Sequence, residues 1–129
     1  MPRPIHFEMS VEDAERAREF YSKVFGWTFH RWGDDKWGDD TMPYYLTTTG
    51  PDGEPGINGG LMLRQGGMPA GTTNTMGVES VDKAVDTIKS AGGTIILEKM
   101  AVPGMGWVAY ATDTEGNQFG VFEMDANAA

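Results

Sequence analysis

Two stretches of this chain follow one pattern 67 residues apart: Val11-Glu12-Asp13-Ala14-Glu15-Arg16-Ala17 and Val78-Glu79-Ser80-Val81-Asp82-Lys83-Ala84. In each, a residue with a side-chain oxygen (Asp13 or Ser80) stands where it can accept the free amide hydrogens of a helix start. The surroundings repeat as well. Before the first copy, Ile5, Phe7 and Met9 alternate with His6, Glu8 and Ser10, the period of a strand with one apolar and one polar face. After it, Ala14, Ala17, Tyr21, Val24 and Phe25 recur at helical spacing with Phe20 beside them, and Gly26 ends the helix. Trp27–Trp32 continues as a strand. In the second copy Val81, Ala84, Val85, Ile88 and Ala91 form the helix face, Gly93 takes the place of Gly26, and Thr94–Lys99 is the following strand.

The tails of the two halves also correspond. A strand around Met42–Thr48, a tight turn at Gly50-Pro51-Asp52-Gly53 and a strand Ile57–Leu63 match the strand Gly106–Ala111, the turn Thr112-Asp113-Thr114-Glu115-Gly116 and the strand about Phe119-Gly120-Val121-Phe122. Each half therefore reads strand, helix, strand, strand, strand. Neither could bury its sheet face alone, so the two must pack together. The expected fold is α+β: two βαβββ modules with a cup-shaped mixed sheet, in a single domain 1–129 with module one at about 4–65 and module two at about 71–125. Gln65-Gly66-Gly67-Met68-Pro69-Ala70-Gly71 is the linker between them. Gly33–Asp40 is an acidic loop around Trp37, read either as a solvated connection or as a lid over a pocket.

If the helices cover one sheet face, the other is lined by His6, Glu8, Gly60 and Met62 in the first half and by Thr73, Thr75, Gly120 and Phe122 in the second. That mixed character suits a ligand cup. Tyr44, Tyr45, Met62, Trp107 and Phe122 either line its apolar part or belong to the core. Gly60 and Gly120 are either strand glycines that permit a bend or positions where side chains give way to a ligand. His6 has three readings: a metal ligand, a hydrogen-bonding or acid–base group oriented by Glu8, or a structural histidine. His30 reads as structural, at a strand end.

Composition narrows the function. The chain of 129 residues carries a net charge of −9, which argues against nucleic acid and anionic membranes as partners. There is no apolar run of membrane-spanning length and no signal-peptide pattern, so a cytoplasmic location is the default expectation. Cysteine is absent, which removes disulfides, thiolate metal sites and cysteine nucleophiles. No phosphate-binding loop is present, and no serine sits in a nucleophile elbow.

His6–Trp27, Val78–Gly93 with its Ala-Gly-Gly ending, and Thr112–Gly120 make the chain resemble the vicinal oxygen chelate superfamily, which includes glyoxalase I, bleomycin-resistance proteins, fosfomycin-resistance enzymes and extradiol dioxygenases. The resemblance covers essentially the whole chain. It implies paired βαβββ modules, a ligand cup and, as in many single-domain members, a homodimer. It also implies where a divalent ion would be held: His6 at the first-strand position, Thr73 at its second-module equivalent, and Gly60 and Gly120 on or near the carboxylate positions. An ion needs about three protein ligands and an open position, and only His6 is suited. Glu8, His30 and Asn58 are the possible substitutes, of which Glu8 alone shares the strand face of His6.

The expected function is therefore a glyoxalase/bleomycin-resistance-like small-molecule binding protein with a degenerate metal site, taking a modest, partly aromatic ligand. Its expected binding residues are His6, Glu8, Tyr44, Gly60, Met62, Thr73, Thr75, Trp107, Gly120 and Phe122. No cofactor is expected. One alternative is a metal-dependent lyase, isomerase or dioxygenase with a divalent metal on His6, His6 and Glu8 being the catalytic candidates. The other is an interaction protein with a vestigial cup.

Overall fold

The structure, a computed structural model, describes residues 2–32, 43–64 and 71–129. The acidic loop around Trp37 and most of the expected linker lie outside the described residues. The chain divides into two compact units, one spanning His6–Thr72 and the other Thr73–Ala129 together with the residues up to Ile5.

The first unit contains β1 (Arg3–Val11, whose first residues group with the second unit), α1 (Ala14–Phe25), β2 (Thr28–Arg31), β3 (Tyr44–Thr48) and β4 (Gly59–Leu63). Its strands are ordered β2-β3-β4-β1. β1 runs parallel to β4, with Phe7 opposite Gly59 and Glu8 opposite Gly60. β3 is antiparallel to both β2 and β4. The second unit contains β5 (Gly71–Gly77, whose first two residues group with the first unit), α2 (Val81–Ser90), β6 (Thr94–Val102), β7 (Gly106–Thr112) and β8 (Gln118–Met124), ordered β5-β8-β7-β6. β5 runs parallel to β8, with Thr75 opposite Gly120, and β7 is antiparallel to β6 and β8. The two units thus share one topology, βαβββ with the first strand beside the last, as the sequence repeat requires.

The helices start where the repeat places them. Asp13 Oδ1 accepts the Arg16 N–H at 3.0 Å and Ser80 Oγ accepts that of Lys83 at 3.2 Å. α2 gains a second cap, because Glu123 of β8 accepts the Val81 N–H at 2.9 Å. The ends differ. α1 stops at Gly26, whose φ of 74° is the left-handed conformation glycine adopts without strain. After α2 the left-handed residue is Gly92 (φ 100°), not the Gly93 expected from the repeat. α2 is two residues shorter than α1, with 10 residues against 12, so its terminal turn closes earlier. Gly93 is instead a close approach: a Cβ there would stand 2.7 Å from Ile88 and 2.9 Å from the Thr112 carbonyl.

Each helix covers one face of its own sheet. Phe7, Met9 and Leu61 are buried beneath Ala14, Ala17 and Tyr21 of α1, with Trp27 stacked on Tyr21 at 5.1 Å. Val24 and Phe25, expected on that face, are 53% and 60% exposed, and Phe20 is 57% exposed. Phe25 stands in the last turn, where its ring meets Trp27 at 5.4 Å and Tyr21 at 6.3 Å. In the second unit Val81 and Val85 of α2 pack on Ala109 and Val121. The turn before β8 is tied by Asp113, whose carboxylate accepts the backbone N–H groups of Glu115 and Asn117.

Candidate functional site

In β1, burying Phe7 and Met9 under α1 turns His6, Glu8 and Ser10 to the opposite, open face. The same logic in β3 and β4 sends Tyr45 and Leu61 to the helix side and Tyr44, Gly60 and Met62 to the open side. The first unit therefore gathers five of the expected binding residues on one face.

Three of them are joined. The Tyr44 hydroxyl lies 3.0 Å from His6 Nε2 and 3.0 Å from Glu8 Oε2. A carboxylate can only accept, so the single phenolic proton goes to Glu8. The phenol oxygen is then left to accept, which makes His6 Nε2 the donor. Burial holds the imidazole below its ordinary pKa, against the opposing pull of the Glu8 carboxylate. The ring is thus neutral near pH 7, protonated on Nε2 and carrying its lone pair on Nδ1.

Gly60 makes this arrangement possible. A Cβ at that position would run into the oxygen and Cζ of the Tyr44 phenol. Of the two readings of this glycine, neither a plain bend nor a gap left for a ligand describes it: the gap is filled by the chain's own tyrosine.

The second unit presents a different open face. Thr75 is 4% exposed and stands opposite Gly120. A Cβ at Gly120 would lie 3.1 Å from Thr75 Oγ1 and 3.1 Å from the Tyr110 ring. Thr73 and Phe122 share the face and are half-buried. Trp107 does not share it. It packs with the helix-side cluster, donates its indole N–H to Asp125 Oδ2 at 3.0 Å and lies under the Lys99 ammonium at 4.6 Å. Its inclusion among the cup residues is corrected by strand parity: Ala109 and Ala111 are buried on the side Trp107 shares, which leaves Val108 and Tyr110 on the other. Tyr110 is the open-face residue that sequence reasoning missed.

The metal-ligand substitutes do not converge either. His30 is exposed on β2, opposite Leu46. Asn58 Oδ1 accepts the Thr49 N–H at 2.9 Å. Glu123, the carboxylate near the end of β8, is spent on α2. Among the described residues no three His, Cys, Asp or Glu side chains group around a point. His6 Nε2 and Glu8 Oε2 both address Tyr44, not a shared vacant position. The donor set among the described residues therefore does not fit the divalent ion that the resemblance implies. A separate groove of about 380 Å³ lies against the start of α1, lined by Asp13, Arg16, Phe20 and Arg64 among others, and holds none of the expected site residues.

Residues 3–121 match the family model described as Glyoxalase/Bleomycin resistance protein/Dioxygenase superfamily. The chain belongs to this superfamily. Among curated members it is 23% identical over 130 residues to "Putative glyoxylase CFP32" of Mycobacterium bovis and of Mycobacterium tuberculosis, a match covering 95% of this chain and 46% of the relative. The chain thus spans about half the length of those relatives. Among solved structures, methylmalonyl-CoA epimerase from M. tuberculosis superposes with a TM-score of 0.64 at 18% identity, over 95% of this chain and 87% of the epimerase. A Streptomyces coelicolor methylmalonyl-CoA epimerase in complex with 2-nitronate-propionyl-CoA gives 0.65 at 17% identity, over 96% and 98%. At such identities these superfamily structures establish the fold. No helix among the described residues is long and apolar enough to cross a membrane.

Proposed function

We propose that this superfamily member is a small-molecule binding protein whose polar anchor is the His6–Tyr44–Glu8 triad. One observation carries the reading: the phenol of Tyr44 engages both His6, the one suited residue at an implied ligand position, and Glu8, the one substitute on its strand face. Three groups held by mutual hydrogen bonds give direction to a ligand, while Met62 on the same face supplies adaptable apolar contact. Thr73, Thr75, Gly120 and Phe122 form the second unit's own open face. The ligand is modest in size and partly aromatic. The exposed Phe20, Val24 and Phe25 of α1 supply apolar surface for a homodimer, which sedimentation velocity tests directly.

Thermal unfolding against a metabolite and antibiotic panel tests the binding reading. A ligand at 100 times its Kd stabilises by about 2.7 kcal/mol. Tyr44→Phe removes most of that gain if the triad is the anchor. A panel without hits favours the vestigial-cup alternative. Elemental analysis of the purified protein tests the enzyme alternative: stoichiometric metal that disappears in His6→Ala would replace the binding reading with a metal-dependent lyase, isomerase or dioxygenase.

A further inference from the structure

The groove of about 380 Å³ at the start of α1 shares no residue with the triad, and its chemistry is independent of the binding reading above. Arg64 gives it its character. This residue follows β4, and its backbone N–H donates to the Val11 carbonyl at 2.7 Å, which sets it beside the junction of β1 and α1. Its guanidinium is pinned at one corner, where Nη2 donates to the Ser10 carbonyl at 3.2 Å. Nε is buried without a partner, and among the described residues no carboxylate pairs with the group. A guanidinium fixed by one nitrogen and lacking a counter-ion is a prepared receptor for a carboxylate.

The rest of the lining balances that charge. Arg16 stands beside Glu12 and Asp13 at 3.9 Å and 4.0 Å, beyond hydrogen-bond length. Asp13 already accepts the Arg16 N–H as the helix cap, whereas the exposed Glu12 carboxylate accepts no hydrogen bond from a described residue. Two cations and two carboxylates thus surround a groove whose other walls are Val11, Ala17 and the rings of Phe20 and Tyr21. A ligand with a single charge gains from one pair and is repelled by the other, while a zwitterion gains from both.

We propose that this groove is a second small-molecule site, taking a free α-amino acid with an apolar or aromatic side chain. Its carboxylate meets Arg64, its ammonium meets Glu12, and its side chain lies against Ala17 and Phe20. The groove has the volume of an ordinary small-molecule site. Phe20 also belongs to the exposed stripe offered to a second copy, so ligand and dimer contact compete for that ring.

Three probes with one phenethyl body separate the possibilities: L-phenylalanine, 3-phenylpropionate and phenethylamine. Each is titrated into the full chain near neutral pH while the backbone amides and the Arg64 Nε–H are followed by NMR. Phenylalanine is expected to shift the Arg64 Nε–H and the amides around the start of α1, and to bind at least about tenfold more tightly than either singly charged probe. Arg64→Met is expected to cancel most of its advantage over phenethylamine. Glu12→Gln, which alters only an exposed side chain and leaves folding intact, is expected to cancel most of its advantage over 3-phenylpropionate. A singly charged probe that binds as tightly as phenylalanine would overturn the zwitterion preference, as would phenylalanine binding unchanged by Glu12→Gln. No shift with any probe would overturn the site. A response at His6 alone would overturn it too, while leaving the triad reading standing.

Discussion

The open faces of the two units are built on one topology and one register. Glu8 stands opposite Gly60 as Thr75 stands opposite Gly120, on parallel first and last strands. Yet the first face carries two titratable groups linked through a tyrosine, and the second carries threonines. Even the glycines serve different neighbours: Gly60 admits Tyr44, which reaches diagonally from the position opposite Met62, whereas Gly120 faces Tyr110 directly across the strand pair. A duplicated scaffold preserves backbone geometry far more strictly than it preserves side-chain chemistry.

The sharpest way to break this comparison is to fill the two glycines. Gly60→Ala must displace the Tyr44 phenol and lose both of its hydrogen bonds, so urea denaturation is expected to show a loss of about 2–4 kcal/mol. Gly120→Ala meets its neighbours at 3.1 Å and needs only a small adjustment, costing about 1 kcal/mol. Equal losses would mean that the glycines are equivalent after all. The clash also predicts coupling: in a Gly60→Ala/Tyr44→Ala double-mutant cycle, part of the Gly60→Ala penalty disappears.

Next in size is Tyr44→Phe, which keeps the ring and removes the hydroxyl between His6 and Glu8. A loss of about 1–3 kcal/mol is expected, because two half-buried polar groups lose a shared partner. Trp107→Phe sharpens the corrected placement. Loss of the indole N–H bond to Asp125 costs about 1 kcal/mol by thermal unfolding, while affinity for any ligand of the His6 face stays at the wild-type value.

The smallest effect is a pH dependence. His6 has a folded pKa below its unfolded value near 6.5, so in the window between them the unfolded chain binds more protons and stability falls as pH is lowered through about 6.5. His6→Gln should remove that acid limb from a series of denaturation curves. Glu8→Gln should depress the His6 pKa further, as followed by its ring proton shifts, because the one charge that raises it is gone.

The comparison also explains what could be read from residues alone. The phase of β1 was legible because apolar and polar residues alternate strictly from Ile5 to Ser10. The phase of β7 was not, since Trp107-Val108-Ala109-Tyr110-Ala111 is apolar throughout and nothing marks which side meets the helix. Hence Trp107 was placed on the open face and Tyr110 overlooked. His6 and Glu8 were identified as a pair by spacing. Their link through Tyr44 depends on a diagonal contact across β4, 36 residues away from Glu8, which no local pattern encodes. Gly60 was conspicuous in the sequence, but a missing side chain does not announce what fills the gap.

The seating of Tyr44 over Gly60 has an evolutionary corollary. Any single exchange that put an acid at position 60 would collide with the phenol, and any single loss of the phenol would leave the first-strand histidine and glutamate without their common neighbour. Positions 44 and 60 are therefore coupled: an exchange at one is tolerated best when the other changes with it, so the two are expected to vary together.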